Sequence, residues 1–284
     1  MSEQKFTRTS RWFLVDTDFE TAFSQLGLTS IEAVFSFNPD KNLSKDNLAR
    51  FRSRHQFEID SPPASLFMKR YDTPPISAQL RNWLCHRRRV SMARFEFDAA
   101  RKLAAAGINT PKFVALGEQW GIFFEKRSFI ITEKVPDAES LERKLPRYIS
   151  APATVQNLKL RRDFVARLAT LTKKFHETGY CHRDLYFSHI FYRSSGRFYL
   201  IDLARAFKPA LLRRRFQVKD IAQLYYSAPR KYFSRTDRLR FFFKWTGRNK
   251  LTGKDKAFIR KVVSKAKRMA RHDIKHGRPV PFAS

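Results

Sequence analysis

The chain has 284 residues, with 57 Lys and Arg against 26 Asp and Glu, a formal net charge of +31. That length suits one catalytic unit of two lobes, and 43% hydrophobic residues supply a sizeable core. Two cysteines, Cys85 and Cys181, exclude a disulfide framework and a cysteine metal cluster and fit a reducing cytosol, while the lack of a signal-like start or a membrane-spanning apolar run predicts a cytoplasmic protein.

In chain order, residues 1–10 read as frayed, and 11–37 mix helix and strand signals that do not resolve. The stretch 47–59 offers Arg50, Arg52, Arg54 and His55 and no glycine. Residues 65–71 read as a strand carrying Lys69 among apolar neighbours, where an unpaired ammonium is costly. Arg70, on the opposite face, is the competing cation; Lys69 directly follows the Leu-Phe-Met run and is preferred. Residues 90–106 read as a helix closed by Gly107. Its apolar stripe runs through Met92, Ala99, Ala100, Leu103 and Ala106, and Glu96 lies on it while Asp98 does not. A buried acid wants a partner, and Lys69 is the obvious one. The alternative is an edge acid, solvated or paired with Arg101. Three strands follow, at 112–116, 120–125 and 128–132, with a tight turn at 125–127.

Leu160, Phe164, Leu168, Leu171 and Phe175 recur at helical spacing and define a buried stripe ending before Gly179. Next comes His182-Arg183-Asp184. Residues 190–192 and 198–201 read as two short strands around a turn at 193–197, and the second runs into Asp202. The hairpin brings Asp184 and Asp202 to the same end. An Asp that orients a hydroxyl, with a second that holds Mg²⁺, is what phosphoryl transfer from ATP needs. His-Arg-Asp alone also occurs by chance as an ordinary loop; the second Asp at this spacing gives it weight. Lys69 would then meet the ATP phosphates with Glu96 fixing it, and backbone groups at Glu133 and Val135 would meet the adenine. Asp220 reads as an acid in the first turn of another helix. It either accepts hydrogen bonds from the catalytic loop or is an ordinary helix-start carboxylate.

The runs His182-Arg183-Asp184-Leu185-Tyr186-Phe187-Ser188-His189, Leu200-Ile201-Asp202-Leu203-Ala204-Arg205-Ala206 and Lys219-Asp220-Ile221-Ala222-Gln223-Leu224 resemble the protein-kinase-like superfamily. More narrowly, they resemble the lipopolysaccharide core kinases of the Kdo/WaaP group. The resemblance implies an α+β, bilobal protein-kinase-like fold, with an N-terminal antiparallel sheet plus one helix (1–135) and a mainly helical C-terminal lobe (136–284). It implies ATP- and Mg²⁺-dependent transfer to a sugar hydroxyl, heptose or Kdo, of lipopolysaccharide core. Asp184 would be the catalytic aspartate within His182-Arg183-Asp184, Asp202 the metal ligand, Lys69 the phosphate contact, Glu96 its partner and Asp220 the support of the loop. His189 stands where ordinary protein kinases have a metal-binding Asn. Mg²⁺ prefers oxygen, so His189 is either a poor metal ligand or a contact to phosphate or Asp184. No glycine-rich loop precedes Lys69.

Tyr186 replaces the Lys usual in Ser/Thr protein kinases, and Asp202 and Asp220 leave little chain between them for a peptide platform. A glycolipid acceptor is therefore favoured over the alternatives, a protein kinase of this fold or an impaired kinase-like scaffold. The positive charge peaks at Arg87–Arg89, Arg161-Arg162, Arg213–Arg215 and in a terminal helix opened by a capping-box-like Thr252 and Asp255. It fits anionic lipid at the inner face of the cytoplasmic membrane. Nucleic acid is disfavoured for want of any zinc spacing, RNP-like strand or helix-turn-helix.

Overall fold

The computed structural model describes residues 5–10, 12–39, 41–43, 49–149 and 155–281. The first four residues and positions 47–48 of the basic stretch lie outside the described residues. The elements, in order, are strands β1 (Phe6–Ser10) and β2 (Phe13–Asp16), helices α1 (Glu20–Gln25) and α2 (Ile31–Ser36), and strands β3 (Lys41–Asn42), β4 (Arg52–Asp60) and β5 (Pro63–Asp72). Helices α3 (Ile76–His86) and α4 (Met92–Ala105) precede β6 (Phe113–Trp120), β7 (Glu125–Glu133) and β8 (Ala138–Ser140). Then come α5 (Leu141–Tyr148), α6 (Val155–Glu177), β9 (Ile190–Arg193), β10 (Phe198–Leu200), α7 (Arg213–Ser227), α8 (Arg235–Thr246) and α9 (Gly253–Lys275).

The chain forms two compact units, and the division is not a single cut. The first comprises residues 1–102 and 111–136, the second 103–110 and 137–284. The first is built on a seven-stranded sheet of order β1-β2-β6-β7-β5-β4-β3, antiparallel throughout. Alternation along the strands gives it two faces. Leu66 and Met68 of β5 join Phe57, Ile59, Phe129 and Ile131 in a core closed by Phe19, Phe23, Leu28 and Val34 from the α1–α2 region. Lys69 projects from the other face, toward α4. Beyond the expected single helix α4, this unit therefore carries three more.

Further expectations change here, and the strands expected at 112–116 and 120–125 are replaced by one, β6. Residues 6–10 are not frayed: β1 pairs with β2, and the Phe6 ring meets Phe97 edge-on at 5.5 Å. The turn expected at 125–127 lies instead at 121–124, where the Gly121 amide donates to the Phe124 carbonyl at 2.8 Å. Glu125 belongs to β7 because its buried backbone and carboxylate are both claimed. Its N–H donates to Gln79 Oε1 (2.9 Å), and Oε2 accepts from the Met92 amide (2.9 Å) at the start of α4. Ser128 Oγ accepts from the next amide, Ala93, at 3.2 Å. Free donors of a helix start are thus met from the sheet, which fixes where α4, and Glu96 upon it, begins.

The second unit has a three-stranded antiparallel sheet, β10-β9-β8, and is otherwise mainly helical. Phe164, Leu168 and Phe175 of the α6 stripe are buried as expected, with Leu160 and Leu171 half-buried. The hairpin pairs Tyr192 with Phe198. Helix α7 starts at Arg213, so Asp220 sits two turns inside it and is not a helix-start acid. The run of three arginines reads as a solvated charge peak, yet it forms the first turn. Helix α9 carries the expected cap: Thr252 Oγ accepts from the Asp255 amide, and Asp255 in turn accepts from the Thr252 amide. Among the described residues no helix is long and apolar enough to cross a membrane.

Candidate active site

In the first unit, Lys69 Nζ donates to Glu96 Oε1 at 2.7 Å. Strand β5 places Lys69 opposite Arg54 of β4 and Ile130 of β7, and α4 brings Glu96 onto the same face. Glu96 is buried, and its Oε2 has no hydrogen-bond partner, so Lys69 is the carboxylate's only charge partner among the described residues. Arg101 does not take it; that guanidinium lies over the Phe97 ring. Arg70 points away, as alternation requires. Its Nη2 donates to the Phe37 carbonyl at 2.5 Å, its guanidinium lies near the Phe35 ring, and burial pulls its pKa down to about 10. His55, opposite Met68, is held below the ordinary histidine range by burial and by Arg70. Glu133 ends β7. Its amide is spent on the Lys112 carbonyl at 2.9 Å, and burial raises its carboxyl above the usual range. Val135 is buried just beyond.

In the second unit, the loop 181–185 is held by side chains from α7. The amides of His182 and Arg183 donate to Asp220 Oδ2 (2.9 Å) and Oδ1 (2.8 Å). Gln223, one turn on, accepts from the Leu185 amide at 2.9 Å and donates to the Arg183 carbonyl at 2.8 Å. Asp220 is fully buried, and its charge is met from a third side. Trp245 Nε1 donates to His176 Nδ1 at 3.1 Å, so the other ring nitrogen carries the proton and donates to Asp220 Oδ2, also at 3.1 Å. His176, Cys181 and Asp220 cluster tightly enough to suggest a metal site. The carboxylate is already filled by those donors, and burial pushes the Cys181 thiol up to about 12, far from a thiolate ligand.

His182 is a scaffold residue by its contacts. It is fully buried, Nε2 donates to the Ile201 carbonyl at 3.1 Å, and burial lowers its pKa, which keeps the ring neutral. Arg183 adopts a left-handed φ of 69° and stacks its guanidinium on Phe207. Asp184 is partly exposed, with two cations beside it. Arg205 Nη1 sits 2.9 Å from Oδ2, and Lys219 Nζ 3.9 Å from Oδ1. Burial draws the Lys219 ammonium below its ordinary range, opposed by Asp184.

Asp202 also adopts a left-handed conformation, φ 55°, and lies beside His189. His189 Nδ1 donates to the Asp184 backbone carbonyl at 2.8 Å, and its Nε2 lies 3.9 Å from Asp202 Oδ2. The Asp202 carboxylate would suit a hard divalent cation such as Mg²⁺, to which the imidazole nitrogen would add little. Of the readings open for His189, a contact to Asp184 is present, through the main-chain carbonyl.

The second unit therefore brings Asp184, His189, Asp202 and Asp220 together, and the first joins Lys69 to Glu96. Gln223, His176, Arg205 and Lys219 escaped the sequence reading. Arg205, Lys219 and Gln223 stood inside the motif runs, and the two cations could have been found as charges flanking the aspartates; His176 lies outside those runs. Apart from this loop, α6, α7, α8 and α9 line an open apolar pocket of about 300 Å³ that includes Val165, Leu168, Leu224, Phe242, Phe258 and Val262.

A family model described as the lipopolysaccharide kinase (Kdo/WaaP) family matches residues 75–245. The chain is 29% identical over 213 residues to the lipopolysaccharide core heptose(I) kinase WaaP of Escherichia coli, covering 72% of this chain and 79% of that protein. Against the protein of that name from Pseudomonas aeruginosa it is 33% identical over 156 residues, 52% of this chain and 57% of that one. A solved structure described as WaaP in complex with acyl carrier protein aligns with a TM-score of 0.71 at 24% identity, covering 90% of this chain and 98% of that one. At that identity the likeness speaks for the fold.

Proposed function

The chain belongs to the lipopolysaccharide kinase (Kdo/WaaP) family, and from that premise we propose that it transfers the γ-phosphoryl group of ATP, with Mg²⁺, to a heptose or Kdo hydroxyl of lipopolysaccharide core. The observation that carries the reading is the partly exposed Asp184 on a loop clamped by Asp220 and Gln223. In it, Asp184 accepts a hydrogen bond from the sugar hydroxyl and takes up its proton as the oxygen attacks phosphorus. Arg205 and Lys219, resting on Asp184, supply positive charge where negative charge develops on the transferred group. Lys69, fixed by Glu96, contacts the ATP phosphates. Asp202 holds the metal, which when bound neutralises phosphate charge. Val135 offers its amide to the adenine, since that of Glu133 is spent within the sheet. His182 and Arg183 position the loop.

A glycolipid acceptor supports a seat at the cytoplasmic face of the inner membrane, and the +31 charge supports attraction to anionic lipid. An acyl carrier protein joins the proposed partners. The solved relative is described in such a complex, and the apolar pocket in the helical unit offers lining of the chemistry that accepts hydrocarbon.

The test is transfer from labelled ATP to a lipopolysaccharide core extract, with a peptide pool alongside and Asp184→Asn as control. Label in the glycolipid that disappears in the variant supports the reading. Label confined to peptide, or transfer that survives Asp184→Asn, overturns it.

A further inference from the structure

Helix α3 is inside out. A surface helix normally turns its aliphatic stripe inward, but here Ile76, Leu80 and Leu84, spaced at i, i+4 and i+8, are all exposed, Leu84 to 79%. The inward side is held by polar and aromatic contacts instead. Buried Gln79 donates to the carbonyls of Pro74 (2.9 Å) and Glu125 (3.1 Å). Trp83 stacks flat on Phe124 at 5.6 Å and donates its N–H to the Val90 carbonyl at 2.9 Å. These contacts fasten α3 to the β6–β7 turn, whose tip exposes two more large apolar side chains, Ile122 (87%) and Phe123 (67%). Arg89 ties the two elements together by donating to the Ile122 carbonyl and lying over the rings of Trp83 and Trp120.

Single exposed apolar residues are ordinary; five on two joined elements are not. Their surroundings say what covers them. Residues 76–90 and 119–124 contain no acid, and Arg81, Arg87, Arg88 and Arg89 follow or flank the stripe. Arg81, Arg87 and Arg89 carry no acid partner in the described structure, whereas Arg88 pairs with Asp98. Apolar residues at the tip, tryptophans behind them and arginines at the rim form the chemistry of the membrane–water boundary, where arginine stems lie along acyl chains and their heads reach lipid phosphate. We propose that α3 and the β6–β7 turn form a membrane-insertion surface that seats this unit on an anionic bilayer. The proposal deepens the reading of a membrane glycolipid acceptor and rests on it. Binding to lipid is read without turnover, so the two can fail separately: a chain that binds vesicles but transfers no phosphate sinks the function, and the reverse sinks the surface.

The experiment is co-sedimentation of the full chain with vesicles of phosphatidylcholine, alone or with added phosphatidylglycerol. Wild type should sediment with the anionic vesicles and far less with the neutral ones. Leu84→Ser, Ile122→Ser and Phe123→Ser combined should lower the partition coefficient about tenfold or more, since each removes apolar surface that lipid would cover. Arg81→Ser with Arg87→Gly, the glycine suiting the left-handed φ of 52° at residue 87, should weaken binding and flatten its salt dependence. The serine side chains sit at exposed positions, and the thermal midpoint checks the fold; if it falls, Leu84→Ser and Phe123→Ser are read singly. Vesicle binding unchanged in the serine variants overturns the proposal, as does wild type that binds no vesicle. So does a wild-type dimer that the serine variants split while vesicle binding holds, which would make the face a contact between copies.

Discussion

The two charged centres of this molecule are fixed in opposite ways. In the sheet unit, a 2.7 Å contact joins Lys69 to Glu96, and among the described residues the second Glu96 oxygen is buried without a donor. In the helical unit, Asp184 makes no structural hydrogen bond to the core; its loop is fixed through the main chain by Asp220 and Gln223, nearly 40 residues downstream. The first centre depends on two side chains finding each other. The second depends on a main-chain clamp that does not use the Asp184 carboxylate, which Arg205 and Lys219 flank. A group that must exchange protons is better served by the second design, and one that must present a fixed charge by the first.

The sharpest way to break this contrast is to remove the acting carboxylate. Asp184→Asn should lower phosphate transfer by about 10³-fold with the melting temperature unchanged, because the clamp does not use that side chain. A large loss of stability would show that Asp184 is structural. Asp220→Ala should do the reverse in order of cause. It strands the amides of His182 and Arg183 and the His176 N–H in a buried site, and stability should fall by about 3 kcal/mol or more, seen in denaturant unfolding, with transfer lost as the loop loosens.

A third test concerns the start of α4. Burial raises the Glu125 pKa to about 7 from an ordinary 4.5. Between those pH values the folded chain holds a proton that the unfolded chain has released, so stability falls as pH rises through the window, by roughly 3 kcal/mol at 1.36 kcal/mol per unit. Glu125→Gln keeps an acceptor for the Met92 amide and should flatten that slope relative to wild type; an unchanged slope would place the titration elsewhere. The smallest effect is expected from Glu96→Gln. It loosens Lys69 without removing it, and should cost about tenfold in transfer, mainly through KM for ATP. A change confined to kcat would mean that Glu96 does more than hold the lysine.

How legible each centre was in the sequence follows from the same contrast. Lys69 and Glu96 could be paired from face periodicity, because each sits at a regular position of its own strand or helix. The hairpin between Asp184 and Asp202 was equally readable from its turn. Asp220 was visible as a residue but misplaced in its helix, since α7 begins with three arginines and no capping side chain. Gln223 and His176 carry no periodic signal. Their roles exist only once α6, α7 and α8 pack. The 121–124 turn was missed for a related reason: its tip is apolar, where turn chemistry is normally polar, and Glu125 is kept in the sheet by contacts from α3 and α4.

The left-handed backbone at Asp202 bears on how its role can be tested at all. At a φ of 55°, an alanine brings conformational strain that asparagine largely avoids. Asp202→Ala would thus change charge and main chain together, and a dead enzyme would leave the cause ambiguous. Asp202→Asn alters the charge at nearly constant geometry. A graded rescue of that variant by raising the concentration of divalent ion would then report on the ligand itself, free of the loop that carries it.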